Sequence, residues 1–422
     1  MVSEERGQRV GFVAGTLLAA LDLSDTMVFP FLAEFFMAHG VSQSRVGLMF
    51  ALLSMGIGVM VPCMGAITAK VGGPSRVLVL GSLLFCIVRV LTALLPFVPD
   101  GTPMLATSSV IFFITGCVYA FSEIGALSWV LLAAKPGEKV GAVAILVSSR
   151  AMGSMLGTPV GGVLFDLMGW SLTNIAGALI LLVPLVMFST DLSAAAPPLS
   201  TDGDPKRNAL ADPKYVIANL LNLIAQSGLY VIVPFMQPYF AAEFGTPKWE
   251  YGLITMFCLG VGFMGGSALS VELDKALGYR GAVLVGLVLF ALGYLLIGPS
   301  PLLHEIAFLT EAGVWVAIGG LAVMLAGNSI LMVLSPTVAL QFAQAYGLSE
   351  EEATIQTSSL TVSIMALGLF FGPVSSSLLV EAVGVPWTNT IVGAAGAALG
   401  VAAIGALWLL DKCCQAKSGA LM

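Results

Sequence analysis

Two aspartates, Asp22 and Asp25, interrupt an otherwise apolar stretch that reads LLAALDLSDTMVFPF over residues 17–31. Their spacing of three residues places both carboxylates on one face of a helix. A carboxylate at the centre of a membrane helix costs about 2.5–3.5 kcal/mol on insertion scales, so such residues face a cavity or a partner. Burial and a like-charged neighbour both favour the protonated acid. The pair therefore predicts a site where a proton and an ammonium group compete, which is the simplest basis for exchange.

Three more charged residues, Arg89, Glu123 and Arg150, lie in apolar surroundings. Glu123 and Arg150 are expected at similar depth on consecutive helices, and an ion pair between them is therefore predicted. Arg89 is more isolated and nearer an outer helix end, where a long side chain can carry its charge to water. In a second interpretation, Asp22 or Asp25 pairs with one of the arginines and only braces the helices.

Uncharged residues complete the predicted binding set. Tyr119 precedes Glu123 by one turn and Tyr230 lies in a later helix, and both are placed to hold an amine by cation–π contact. Gln226 takes the position of Asp22 in a sequence repeat, which concentrates charge in the first half of the chain. The predicted substrate- and proton-binding residues are Asp22, Asp25, Tyr119, Glu123, Arg150, Gln226 and Tyr230.

The composition places these residues in a membrane. Hydrophobic residues make up 58% of the 422-residue chain and charged residues 10%, against roughly 25% charge in an average soluble domain. One span takes about 20 mostly apolar residues, so the chain has room for about a dozen. No nucleophile, base and oxyanion donors occur together, and no residue spacing suits a metal. We therefore expect no enzyme activity, no catalytic residues, no metal and no cofactor.

Twelve apolar segments separated by glycine, proline or charged residues are predicted to be membrane helices. The first six span residues 10–36, 45–68, 77–97, 105–133, 139–164 and 171–189, and the second six span 215–240, 249–271, 280–298, 312–334, 354–380 and 387–410. Thirteen of the seventeen Lys and Arg residues fall in connections on one side of these helices and two on the other. The positive-inside rule then places both termini in the cytoplasm.

The two sets of six helices repeat each other. VFPFLAEFF at 28–36 resembles IVPFMQPYF at 232–240, and GSMLGTPVGGVLFDLMG at 153–169 resembles GLFFGPVSSSLLVEAVG at 368–384. A polar segment between the sets suits a flexible linker. The predicted units are an N-terminal half (1–189), a linker (190–214), a C-terminal half (215–411) and a cytoplasmic tail (412–422). Two parallel six-helix halves are typical of the all-α major facilitator fold, which binds substrate between its halves.

Three stretches resemble a known family, namely FPFLAEFFMAHGVSQSRVGLMFALLSMGIG at 29–58, GTPVGGVLFDLMGW at 157–170 and LLIGPSPLLHE at 295–305. They are similar to the vesicular amine transporter family, solute carrier family 18, and most of all to its vesicular polyamine transporter branch. The likeness extends over nearly the whole chain. It implies a proton-coupled antiporter that exchanges luminal protons for organic cations.

The resemblance also assigns an antiporter signature to the fifth predicted helix. Glycines at four-residue spacing let helices approach closely, and a proline can bend the helix and so help to seal one side of the pathway. The residues that match the signature are Gly153, Gly157, Pro159, Gly161 and Gly162.

A gating loop between the second and third predicted helices matches the superfamily in part. The matching residues are Gly65, Lys70, Gly72 and Arg76. Ala69 stands where an aspartate is usual, and Phe112 stands where an arginine precedes the glycine of the fourth helix. The gating salt bridges of other members are therefore not carried over to this chain.

Together these patterns predict a proton-coupled antiporter that moves a small organic cation, a polyamine or monoamine, out of the cytoplasm by alternating access. Its expected partners are that cation, protons and the lipid bilayer, without nucleic acid, and the expected state is a monomer. Vesicle, vacuole and plasma membrane share this topology. Two alternatives stay open: a drug-efflux or uptake carrier whose neutral or anionic cargo meets Arg89 and Arg150, and a non-transporting receptor on the same fold.

Overall fold

The computed structural model describes residues 2–41, 43–135, 137–193, 208–232, 235–298, 300–303 and 313–419, and every element among them is helical. We define the N-terminal half as the described residues up to 193, with α1 (Val2–Thr26), α2 (Phe29–Ala38), α3 (Gln43–Val71), α4 (Pro74–Ala93), α5 (Thr102–Ala133), α6 (Lys139–Met187) and α7 (Ser189–Ser193). The C-terminal half, from residue 208 onward, has α8 (Pro213–Val231), α9 (Met236–Phe244), α10 (Lys248–Cys258), a π-helix (Leu259–Met264), α11 (Gly265–Ile297), α12 (Gly313–Ala345) and α13 (Glu350–Gly419).

Eight helical segments of the described chain are long and apolar enough to cross a membrane. Three of the long helices change direction at a glycine: Gly169 in α6, Gly278 in α11 and Gly384 in α13 have φ angles of 71°, 68° and 78°. Glycine reaches these angles without the steric cost that a Cβ would add. Each of α6, α11 and α13 is therefore a pair of helices joined at one residue, and Gly169 and Gly384 occupy matching places in the sequence repeat.

The first predicted helix, 10–36, is wrong as a single element. The structure has α1 and α2 instead, separated at Met27 and Val28. Pro30 lies in the first turn of α2, and proline lacks the N–H that would continue the helical ladder and restricts the residue before it. The helix predicted over 215–240 is divided in the same way, between α8 and α9.

The signature glycines of α6 pack directly on the backbone of α1. A Cβ at Gly153 would overlap the carbonyl oxygen of Ala19, and a Cβ at Gly161 would overlap that of Met27. Gly157 lies between them, against Leu23 and Thr26. A row of glycines at four-residue spacing thus brings two helix backbones into contact, as small residues do in membrane interfaces. This contact positions the two aspartates of α1 relative to α6.

Two other signature residues do not take part in this contact. Gly162 has no heavy atom within 4 Å of the position of a Cβ, and Pro159 is exposed on the bundle. Helix α6 continues through Pro159 and breaks only at Gly169. The break at Gly169 lies between the predicted helices 139–164 and 171–189, and a bend at Pro159 stays a prediction.

Gly161 and Gly162 form a matched pair for testing this packing. Gly161→Ala is expected to destabilise the protein by about 1–3 kcal/mol, the usual cost of overpacking, because its methyl group meets the α1 backbone. Gly162→Ala adds the same atom in open space and should leave stability unchanged. Thermal unfolding of the two purified variants in detergent measures the difference, and equal midpoints would contradict the close approach of α1 and α6.

Candidate functional site

A buried polar cluster joins α1, α5 and α6 inside the N-terminal half. Asp22, with 4% of its surface exposed, accepts a hydrogen bond from the Tyr119 hydroxyl at 2.5 Å. Its other carboxylate oxygen accepts one from Arg150 Nε at 3.0 Å. Arg150 Nη2 also donates to the Tyr119 oxygen, at 3.0 Å. Three residues distant in sequence therefore form a closed ring of hydrogen bonds.

Glu123 extends this cluster from α5. Its Oε1 lies 3.1 Å from Arg150 Nε, which confirms the predicted ion pair. The same oxygen accepts no hydrogen bond from the described residues, because the guanidinium N–H is directed at Asp22. A carboxylate oxygen has two lone pairs, so Glu123 retains the capacity to accept another donor.

Asp25 and Arg89 form a second buried pair. Arg89 Nη2 lies 2.5 Å from Asp25 Oδ1, and the guanidinium carbon lies 4.9 Å from the centroid of the Phe85 ring. Arg89 was expected to be isolated and to reach water, but only 4% of its surface is exposed. The prediction that Arg89 reaches water is wrong because the carboxylate of Asp25 compensates the guanidinium charge inside the bundle. This pair fits the bracing interpretation.

The charges of the two pairs do not balance. Among the described residues of this region, the three carboxylates of Asp22, Asp25 and Glu123 meet the two guanidinium groups of Arg89 and Arg150. One negative charge therefore has no partner cation. A buried charge without a partner is costly, so the region favours uptake of a proton or a cation.

A cavity of about 40 Å³ lies beside the cluster, between the two halves. Both halves contribute polar walls, Glu123 and Arg150 from one and Gln226 and Thr361 from the other. The apolar walls are Leu127, Val143, Leu146, Val147, Met332, Pro336, Val362 and Met365. The volume holds a few water molecules at most, whereas small-molecule pockets have about 300–1,000 Å³. Admission of a substrate therefore requires the two halves to separate.

The structure distributes the predicted residues unevenly around this cavity. Glu123, Arg150 and Gln226 line it, while Asp22 and Tyr119 lie behind Arg150 in the hydrogen-bonded ring. Tyr230 packs against the backbone at Gly372 of α13 and is not among the lining residues.

Sequence reasoning missed Thr361 and the two methionines of the cavity, Met332 and Met365. Arg150 Nη1 and Nη2 lie 3.8 and 3.7 Å from Met365 Sδ, which is a direct contact between the halves. No signal in the sequence marks these residues, because uncharged side chains in apolar helices look alike until the helices are packed.

The predicted gating loop has no acidic partner among the described residues. Arg76 donates only to the backbone oxygen of Val71, at 3.4 Å, and Lys70 is exposed. Gly72 has a φ of 90°, and a Cβ at Gly65 would lie 3.7 Å from Ile355 of α13. Gly65 therefore lies beside the C-terminal half, and among the described residues neither Lys70 nor Arg76 forms a salt bridge with that half.

A helical membrane bundle with charged groups beside a cavity between two halves is the architecture of a transporter. The sequence profile of the Major Facilitator Superfamily matches residues 14–350. The chain belongs to that superfamily and is an integral, multi-pass membrane transporter.

Curated relatives confirm the resemblance to the vesicular amine transporters. The synaptic vesicular amine transporter of Bos taurus is 23% identical over 351 residues, which cover 83% of this chain but only 63% of that protein. The MFS-type transporter SLC18B1 of Homo sapiens is 26% identical over 417 residues, covering 93% of this chain and 85% of that protein. The chain thus spans less than two thirds of the length of the bovine relative.

Solved structures establish the fold. The human organic anion transporter MFSD10 (TETRAN) superposes with a TM-score of 0.73 at 15% identity, covering 95% of this chain and 99% of that chain. The transporter FucP in its outward conformation gives 0.71 at 13% identity, covering 94% and 98%.

The Asp25–Arg89 pair can be tested for a bracing role by stability alone. Asp25→Leu leaves a buried arginine without its partner and is expected to cost about 3–5 kcal/mol. Combining it with Arg89→Met replaces both charges by apolar groups and should recover most of that loss. Thermal unfolding in detergent measures both variants, and a double variant as unstable as the single one would contradict a pairwise brace.

Proposed function

We propose that the chain is a proton-coupled antiporter that moves a small organic cation out of the cytoplasm. The observation that supports this proposal best is the uncompensated negative charge beside the cavity, where three carboxylates meet two arginines. A site with one surplus negative charge is neutral when it holds either one proton or one monovalent cation. Since both together would leave a buried positive charge, loading of one favours release of the other.

Arg150 couples binding of the proton to binding of the cation. Its Nε donates to Asp22 at 3.0 Å and lies 3.1 Å from Glu123, so one guanidinium group is ion-paired with two carboxylates. A cation or proton on Glu123 neutralises that carboxylate and leaves Arg150 to Asp22. When the proton or cation leaves, the charged Glu123 carboxylate pairs again with the guanidinium group of Arg150. Each unit of pH difference then supplies about 1.4 kcal/mol per proton exchanged, or a tenfold accumulation of the cation.

The relatives favour an amine as the cargo. The bovine and human synaptic vesicular transporters are described as amine transporters, and an ammonium group suits a carboxylate in the cavity wall. The proposal extends that cargo class to this chain.

We also propose twelve membrane spans, with both termini in the cytoplasm. A straight helix of the 49 residues in α6 would be about 73 Å long, more than twice the roughly 30 Å hydrocarbon core. The turns at Gly169, Gly278 and Gly384 divide three helical segments into two spans each, α1 with α2 and α8 with α9 supply two more, and the remaining four are α3, α4, α5 and α12. The proposed arrangement has two six-helix units, 1–189 and 215–411, a linker at 190–214 and a tail at 412–422. The distribution of Lys and Arg residues orients it in the membrane.

In this topology one ion pair closes the cytoplasmic side. Lys139 at the start of α6 lies 2.7 Å, Nζ to Oε1, from Glu350 at the start of α13. Lys139 is buried and Glu350 is half exposed. The pair connects the N-terminal half to the C-terminal half, and alternating access requires it to open when the cavity faces the cytoplasm.

The closing role of this ion pair can be tested by removing it with Lys139→Gln and measuring access to the cavity from the cytoplasmic side. We expect the variant to increase labelling of a cysteine placed at Leu146 by a membrane-impermeant maleimide about 1.5- to fivefold, because an ion pair with one half-exposed partner contributes about 0.2–1 kcal/mol, as surface pairs do. The background is the same variant without the added cysteine. Lys135→Gln is the matched control, since Lys135 pairs locally with Glu138 at 4.0 Å. Equal labelling in the two variants would contradict the closing role of Lys139.

The exchange itself can be tested in proteoliposomes with an acidic lumen. Addition of an amine should drive protons out of the lumen in excess of protein-free liposomes, as read by a trapped pH-sensitive dye. Glu123→Gln and Asp22→Asn each remove a carboxylate of the shared pair and should reduce this flux at least about tenfold. Asp191→Asn, which breaks the exposed pair with Arg9, should retain it.

Two results would overturn the proposal. Proton movement equal to that of protein-free liposomes for every amine would favour the receptor alternative. Flux driven by an organic anion, retained in Glu123→Gln and lost in Arg150→Gln, would favour the anion carrier.

A further inference from the structure

Three oxygen atoms in the wall of the cavity are buried and accept no hydrogen bond from the described residues. They are Glu123 Oε1, Gln226 Oε1 and Thr361 Oγ1. All three side chains line the cavity between the halves. Buried polar atoms are normally paired, and three unpaired acceptors around one cavity indicate a ligand that brings donors.

The chemistry of these atoms specifies the donor group. A primary ammonium carries three N–H donors and no acceptor, which matches three acceptor oxygens. One of them belongs to a carboxylate and the other two are uncharged, so the three acceptors carry a single negative charge, and the other charged group of the wall is the guanidinium group of Arg150. The other carboxylates nearby, Asp22 and Asp25, are held by Arg150 and Arg89.

The remainder of the cavity is apolar. Its other lining residues, apart from Arg150, are aliphatic side chains, one proline and the methionines Met332 and Met365. A second ammonium group on the same molecule would meet these walls without a carboxylate, and an unpaired charge in such surroundings is costly.

From these contacts we propose that the cavity, once the two halves separate, binds one primary ammonium group on an apolar body, held by Glu123, Gln226 and Thr361, and that it selects monoamines over polyamines. This inference rests on the proposed function, since it specifies the cargo of the same site. Gln226 is the determining residue for charge, because it presents an amide on the C-terminal wall where a carboxylate would add a second negative charge to the cavity.

Binding to the purified protein in detergent tests this selectivity directly. Hexylamine is compared with 1,6-diaminohexane, which differs by a second ammonium group, and with hexyltrimethylammonium, which keeps the charge but has no N–H donor. We expect hexylamine to bind at least about tenfold more tightly than either, because each lost or unmatched charge-assisted contact has about that effect. Tighter binding of 1,6-diaminohexane or of spermidine would overturn the proposal, as would equal binding of hexyltrimethylammonium.

Substitutions at the two uncharged polar residues of the cavity wall, Thr361 and Gln226, test whether these residues hold the ammonium group. Thr361→Val, which is nearly isosteric, should weaken hexylamine about tenfold and leave hexyltrimethylammonium unchanged, which also shows that the variant is folded. Gln226→Glu should shift the preference toward 1,6-diaminohexane by about tenfold. An equal loss for both monocations in Thr361→Val, or an unchanged preference in a folded Gln226→Glu, would overturn the proposal.

The binding assay and the flux assay separate this inference from the proposed function. Selective binding of hexylamine without proton exchange in proteoliposomes would refute antiport and support the ligand class. Proton exchange driven best by spermidine would support antiport and refute the ligand class.

Discussion

The arrangement of this transporter depends on one arginine shared by two carboxylates. Arg150 lies within 3.1 Å of both Asp22 and Glu123, and it also donates to Tyr119. The cluster is stable inside the bundle because the donors of the guanidinium group satisfy several acceptors at once. It is also incomplete, since the nearby Asp25–Arg89 pair is neutral and leaves the shared cluster with one excess negative charge. A fully neutral cluster would have no reason to bind a proton or a cation.

Backbone packing keeps the shared arginine in place. Gly153 and Gly161 bring α6 against α1, and Arg150 and Asp22 lie on these same two helices. A larger residue in the glycine row would separate the backbones and with them the two charges. The glycine row of α6 therefore sets the distance between the two helices that the ion pair of Asp22 with Arg150 requires.

The charged residues of the site and most of the helix boundaries could be predicted from the sequence, because both depend on residue types and spacing along a short stretch of chain. Charges in apolar segments are conspicuous, and helix order gave Glu123 and Arg150 a similar depth, so their pairing followed. The ends of the apolar segments located the turns at Gly169 and Gly384, which fall between the predicted helices 139–164 and 171–189 and between 354–380 and 387–410. These inferences needed only the spacing of residues along the chain.

The failures share a different cause, which is dependence on packing between distant segments. Arg89 was expected to reach water because its partner, Asp25, is 64 residues away and on a helix whose rotation was unknown. The break between α1 and α2 was missed because a proline near a helix start is common and also compatible with a continuous kinked helix. Thr361 and Met365 became visible only when α13 was placed against α6.

The charged residues of the site belong to the N-terminal half, and this asymmetry determines which contacts break when the two halves separate. The ionic contacts of Asp22, Asp25 and Glu123 all lie within the N-terminal half, whereas the opposite wall of the cavity is uncharged. Arg150 reaches across only to a methionine sulfur, a weak acceptor. Separation of the halves therefore breaks no buried ion pair at the site. In the proposed cycle the ionic cluster can therefore move as a rigid unit, and the energetic barrier to rocking falls on contacts between the halves such as Lys139 with Glu350.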